Sequence, residues 1–343
     1  MLYPLMRSLL FCLPPETAHK LTLNGLATLN QYKLLPQKQT LNNSSIDVMG
    51  LTFPNRVGLA AGFDKNGKYL NALAQLGFGH IEVGTVTPKP QPGNPKPRLF
   101  RLPKARALIN RMGFNNDGVD ALIHHIEQSH YQGILGINIG KNKTTPLDQA
   151  VEDYLICLHK VYPYASYITI NISSPNTENL RKLQHHQALD ELLHALKAAQ
   201  QPLATKHQRY VPLVVKIAPD LTLDAINQIA QLLLAHQIDG VIATNTSVMR
   251  NSVQHLKHAT ETGGLSGAPL TQPTIHTIQQ LQKIVQNKIA IIAVGGILSK
   301  EDAQAMFNAG ADLIQLYTGL IYRGPGLIAD ITKSAICRKP AFM

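Results

Sequence analysis

Eight short, nearly all-apolar runs rich in β-branched residues recur along the chain, at 56–61, 80–85, 134–139, 167–172, 212–217, 240–244, 290–294 and 313–317. Runs of this length and pattern suit parallel strands buried on both faces. Helical periodicity lies between most of them, most clearly at 68–76, 151–161, 187–200, 223–235, 273–285 and 300–309. Eight alternations of strand and helix predict an α/β fold, a (β/α)8 TIM barrel; an open doubly wound sheet is the alternative. With 343 residues, 44% of them hydrophobic, the chain can fill one large domain and carry an appendage. Segment 94–109 is irregular and basic, and reads as a hairpin inserted at the barrel mouth.

Residues 1–40 stand outside the alternation, which divides the chain into a 1–40 extension and a 41–343 barrel. Leu2, Leu5, Met6, Leu9, Leu10 and Leu13 form one apolar helical stripe, and Pro14-Pro15 breaks it. A second helix is expected over 16–32, so the extension is an N-terminal helical hairpin. It carries Arg7, Lys20, Lys33 and Lys38 against the single acid Glu16. Such a hairpin can cap the barrel, or it can lie on a membrane surface with its leucines toward lipid.

The formal charge of +11 suits anionic partners or a simply solvated basic surface, but no dense Lys/Arg run points to nucleic acid. Cys12, Cys157 and Cys337 are too far apart for a metal spacing or a disulfide framework, so a reduced compartment is expected. No apolar run reaches the roughly 20 residues of a membrane span. Arg7 interrupts the apolar start, and no signal-peptide pattern is present.

Catalytic residues of such barrels sit at the C-terminal ends of the strands. Those ends here carry Ala61-Gly62-Phe63-Asp64-Lys65, Gly84-Thr85, Asn138, Asn171 with Ser173-Ser174-Pro175-Asn176, Lys216, Thr244-Asn245-Thr246, Gly295-Gly296 and Tyr317-Thr318-Gly319. Amides, hydroxyls and lysines dominate. No His/Glu metal set and no carboxylate pair is present, which argues against metal-dependent and glycoside hydrolysis. A planar ligand rich in carbonyl and N–H groups fits this set. Gly264-Leu265-Ser266-Gly267, Gly295-Gly296 and Tyr317-Thr318-Gly319 have the makings of a phosphate site near strands seven and eight.

The chain resembles the dihydroorotate dehydrogenases of the quinone-dependent, membrane-associated class. The matching segments are GLAAGFDKNG (58–67), EVGTVTPKPQPGNPKPRLFRL (82–102), INRMGFNN (109–116), NISSPNT (171–177), VKIAPD (215–220), ATNT (243–246), GGLSGAPL (263–270), AVGGI (293–297) and LYTGLIYRGPG (316–326). They occur in the family's order and run from about residue 45 to near the end. Another FMN barrel, such as a tRNA dihydrouridine synthase, is the rival; it would lack the hairpin and the asparagine-rich set.

The resemblance implies oxidation of dihydroorotate to orotate in pyrimidine biosynthesis. It implies FMN held by Ala61, Gly62, Phe63, Asp64, Lys65, Thr85 and Asn138, and by Asn171, Lys216, Thr244, Gly267, Gly296, Tyr317 and Thr318. It implies substrate held by Lys65, Asn110, Arg111, Met112, Gly113 and Phe114, and by Asn171, Asn176, Asn245 and Thr246. Ser174 is the implied base, where the soluble relatives use Cys, with Thr177 or water relaying the proton. The hairpin is the implied path for ubiquinone or menaquinone, with His19, Arg101 and Tyr317 at its polar end. A monomer bound peripherally to the cytoplasmic face of the cell's inner membrane completes the expectation.

Overall fold

A computed structural model describes residues 3–35 and 45–334. Leu2, Lys38, Cys337 and the expected 40/41 boundary lie outside the described residues. The eight expected strands form, as Val57–Leu59, His80–Val86, Ile134–Ile139, Tyr167–Asn171, Leu213–Ile217, Gly240–Ala243, Ala290–Val294 and Leu313–Leu316. They pair in parallel in chain order, and the eighth closes on the first through Ile314↔Val57, Gln315↔Gly58 and Leu316↔Leu59. Closure excludes the doubly wound sheet. The fold is a (β/α)8 barrel.

The helices between the strands bury one stripe against the barrel's outer face, where Leu158, Leu192, Ile229, Ile278 and Met306 are all essentially inaccessible. The helix expected at 68–76 shortens to Leu70–Ala74, because Lys68 and Tyr69 turn their N–H groups onto the Asp64 carboxylate. The helix expected at 187–200 lengthens to His186–His207. The antiparallel hairpin Ile46–Val48 and Leu51–Phe53 was not legible as strands. It plugs the barrel's N-terminal end, where Phe53 packs with Tyr167 and Leu313 at the starts of their strands.

The mouth insertion is a hairpin, as expected, with Leu99–Leu102 paired to Ala107–Asn110. A third strand joins it. Gly264–Gly267 runs antiparallel to Ala107–Asn110, so this segment is a strand.

The N-terminal helices are Tyr3–Phe11 and Pro15–Gln31. They dock on the mouth face. Tyr3 Oη donates to Ile321 O at 2.7 Å and Arg7 to Tyr322 O at 2.8 Å. Leu23 enters the main core, a burial that contributes about 2 kcal/mol. Leu5, Met6 and Leu9 turn away from the barrel, with Leu9 74% exposed. Leu21 and Leu29 of the second helix are also exposed.

Candidate active site

An open cavity lies at the C-terminal ends of the strands. Its wall brings together most of the residues expected there. Ser174, Lys65, Lys216, Thr85, Asn171 and Thr244 line it. So do Asn110, Met112, Gly113, Phe114, Asn176, Asn245 and Thr246. Ala61, Gly62, Gly267, Gly296, Tyr317 and Thr318 complete the expected wall.

Other expected residues lie elsewhere. Asn138 is fully buried behind the wall, where its Oδ1 accepts from Thr85 Oγ1 at 2.5 Å and from Asn171 Nδ2 at 3.2 Å. The Asp64 carboxylate accepts from Lys68 N and Tyr69 N at 3.1 and 2.7 Å and so stiffens the turn carrying Lys65. Arg111 pairs with Glu261 at 2.7 Å, and its guanidinium stacks on Phe100 at 4.7 Å, so its side chain points away from the cavity. Phe63 stands between His19 and Tyr317, with ring centroids 5.0 and 5.6 Å apart. That makes an edge-to-face row of three rings from the second N-terminal helix to the cavity wall. Arg101 is a docking group: it donates to Leu10 O at 3.3 Å in the last turn of the first helix and to Leu13 O at 2.7 Å just past it.

The floor of the cavity is a chain of amides. Asn171 Nδ2 donates to Thr85 Oγ1 at 2.9 Å, and Asn171 Oδ1 accepts from Ser173 N at 3.3 Å. Asn245 Nδ2 donates to Ser173 Oγ at 3.0 Å. Ser174 is buried, its Oγ accepting the Asn176 N–H at 3.3 Å. Thr177 Oγ1 is buried with no hydrogen-bond partner among the described residues. Arg181 pins this loop from behind, donating to Ser173 O at 3.2 Å and Thr246 O at 2.7 Å while paired to Asp220 at 2.8 Å.

The charges facing the cavity are cationic. Burial lowers the Lys65 ammonium to about 7; nearby Arg98 adds to that and Glu16 opposes it. Lys65 Nζ holds Asn115 Oδ1. Burial also lowers Lys216, with the Glu82 charge opposing. Burial and Lys65 hold His19 down at about 4, so its ring is neutral. Burial raises the Tyr317 phenol to about 12.

Several residues of the site were missed by the sequence reading. Glu16 and Arg98 form a two-bonded clamp at 3.0 and 3.2 Å between hairpin and mouth sheet. Glu82 and Gln315 lie beneath the floor and on its wall. Their signal was a polar side chain in the middle of a largely apolar strand run.

A flavin mononucleotide would need polar partners for a planar ring and N–H donors for a phosphate. Gln315 Oε1 is buried with no partner among the described residues, and it belongs to the same wall as Lys216 and Asn171. At the other end, Gly267, Gly296 and Thr318 adjoin, with the Ser266 and Thr318 hydroxyls 2.9 Å apart. The helix Thr318–Arg323 starts there, so its first N–H groups lack acceptors within the helix. The residues fit the group.

The family model described as dihydroorotate dehydrogenase matches residues 44–336. A protein of Nitrosomonas eutropha named dihydroorotate dehydrogenase (quinone) is 58% identical over 342 residues, covering 100% of this chain and 99% of its own. One of Acinetobacter baylyi with the same name is 56% identical over 330 residues, covering 96% and 98%. Among solved structures, the Eimeria tenella DHODH in complex with ferulenol superposes with a TM-score of 0.86 at 38% identity, over 93% of this chain and 89% of that one. The ligand-free form from the same organism gives 0.85, over 93% of each. With the family model spanning most of the chain and relatives this similar over nearly its whole length, the chain belongs to the dihydroorotate dehydrogenase family.

Proposed function

We propose that the protein oxidises dihydroorotate to orotate with FMN as cofactor and a membrane quinone as electron acceptor, in pyrimidine biosynthesis. The observation that carries this is one cavity collecting Ser174, two lysines and the amides of Asn110, Asn171, Asn176 and Asn245. The relatives named as quinone enzymes support the choice of acceptor.

Lys65 meets the substrate carboxylate, and the four asparagines pair with the ring's carbonyl and N–H groups. Ser174 removes the C5 proton as hydride leaves C6. FMN held at this wall would supply the acceptor for the hydride and the electron link to quinone. A serine is a weak base, so proton removal needs a dry site and an exit path. The burial of Ser174 meets the first need, and the unpartnered Thr177 hydroxyl suits the second. Thr85, Asn171, Lys216 and Thr244 would hold the flavin ring, and Gly267, Gly296 and Thr318 its phosphate. Asn138 acts through Thr85 and Asn171.

The N-terminal hairpin, residues 1–40, is the quinone and membrane module of this reading, and 41–343 the FMN barrel. Its outward Leu5, Met6 and Leu9 suit an apolar face laid on lipid at the cytoplasmic side of the inner membrane. No helix among the described residues is long and apolar enough to cross a membrane. The His19–Phe63–Tyr317 row is the inner end of the quinone path. A monomer suffices, since this one chain supplies every group named.

The test is anaerobic mixing of the FMN-loaded protein with dihydroorotate. Bleaching of the flavin, then reoxidation by quinone but not by fumarate or NAD, supports the reading. A flavin that stays oxidised refutes it.

A further inference from the structure

Glu82 lies on the second barrel strand with no accessible surface. A carboxylate in that setting is costly unless each oxygen is satisfied. Three donors satisfy it. Asn138 Nδ2 reaches Oε1 at 2.8 Å; Gln315 Nε2 and Tyr167 Oη reach Oε2 at 2.7 and 3.0 Å. Gln315 Nε2 also lies 3.2 Å from Tyr167 Oη, which knits the three groups together.

The consequence is directional. An amide can face either way, and its orientation decides whether it offers a donor or an acceptor. Glu82 can only accept, so it fixes the Asn138 NH₂ toward itself. Asn138 Oδ1 must then accept from Thr85 and Asn171. With its NH₂ committed there, Asn171 turns Oδ1 to the Ser173 N–H and to Asn245 Nδ2, the latter at 3.3 Å. In the same way, Gln315, a residue of the cavity wall, is held with its Nε2 on Glu82 and its Oε1 without a partner among the described residues. One buried acid therefore sets the polarity of the whole floor. Its charge also bears on Lys216, opposing the effect of burial there.

We propose that Glu82 is a positioning residue: it fixes the donor and acceptor pattern of the flavin floor and balances the Lys216 charge, so that it tunes the flavin's reduction potential. The inference rests on the FMN reading above. Two-electron reduction adds negative charge to the flavin ring, and a nearby anion opposes it.

Two variants test this through the midpoint potential of the FMN-loaded full chain, measured without substrate by titration against a reference dye. Glu82→Gln removes the anion and should favour the reduced flavin about tenfold, a rise of roughly 30 mV. Tyr167→Phe keeps the ring packing but removes one donor from the carboxylate, leaving its charge less neutralised. It should favour the oxidised flavin about threefold, a fall of roughly 14 mV. Opposite signs are the signature, because loosened packing would not move the two variants in opposite directions. Potentials within experimental error of wild type, or shifts of the same sign, overturn the proposal. If Glu82→Gln fails to fold, Tyr167→Phe decides alone: a lowered potential supports, an unchanged or raised one refutes. Wild-type protein that takes up no FMN overturns the flavin reading and this inference with it, whereas FMN uptake with unmoved potentials overturns only the inference.

Discussion

Raising the pH from 6 to 8 should weaken orotate binding about tenfold, and Lys65 is the reason. Its ammonium is lowered to about 7, chiefly by burial and further by Arg98, with Glu16 opposing. The ligand's carboxylate is ionised throughout this range, so binding requires the protonated lysine. With a midpoint near 7, about 0.9 of the free protein is competent at pH 6 and about 0.09 at pH 8. Apparent affinity scales with that fraction, which gives the factor of about ten. The sign follows from a lowered cation: protonation, and with it anion binding, is complete below the midpoint and is lost above it. The assay is titration of the FMN-loaded protein with orotate, followed through the flavin spectrum, so that no chemistry intervenes. Lys65→Met should bind roughly 10- to 150-fold more weakly at pH 6, from a lost charge-assisted bond of about 1.5–3 kcal/mol, and its affinity should not depend on pH. The clamp supplies an internal check: Arg98→Ala should move the wild-type midpoint up, and Glu16→Gln should move it down. Constant affinity from pH 6 to 8 in the wild type would refute the reasoning.

Three further outcomes follow from the same geometry. Ser174→Ala should slow anaerobic flavin reduction by about 10²- to 10⁴-fold while orotate affinity changes by no more than a few-fold; equal losses in both would make Ser174 a binding group. Gly296→Ala should cost about 3 kcal/mol or more, because φ is +78° and the new Cβ would lie 2.2 Å from Thr271 N; thermal melts and retained FMN read this out. Removal of residues 1–40 should abolish quinone reduction and vesicle binding yet leave flavin reduction by dihydroorotate in place. Unchanged quinone turnover in the truncated protein would detach the hairpin from that role.

Much of the site was legible because strand ends are local features. A polar residue after a run such as Ile168–Asn171 or Val214–Lys216 has one place to go once the strands pair in parallel, and that is the mouth. Asp64 and Arg111 show the limit. Both were themselves expected as ligands, yet the Asp64 side chain turns onto the N–H groups of Lys68 and Tyr69, and that of Arg111 onto Glu261. A side chain's nearest partner in space outweighs its neighbours in sequence. Arg101 is a similar case, drawn to the carbonyls at the end of the first helix.

Strand number and the cluster at the strand ends were determined by the sequence itself, because burial on both faces leaves a periodic record in residue type, whereas the order and closure of the strands were decided by the tertiary structure. The third strand of the mouth sheet was decided only by tertiary structure, since Gly264–Gly267 finds its partner more than 150 residues earlier in the chain. So was the direction of the hairpin's leucines: periodicity reveals that a helix has an apolar face but not what that face meets. The same holds for Glu82. Its presence in an apolar strand is plain in the sequence, but its hold on Asn138, Tyr167 and Gln315 exists only once strands two, three, four and eight close into one barrel. Buried hydrogen bonds are short-ranged in space and indifferent to distance along the chain, so closure of the fold settles them.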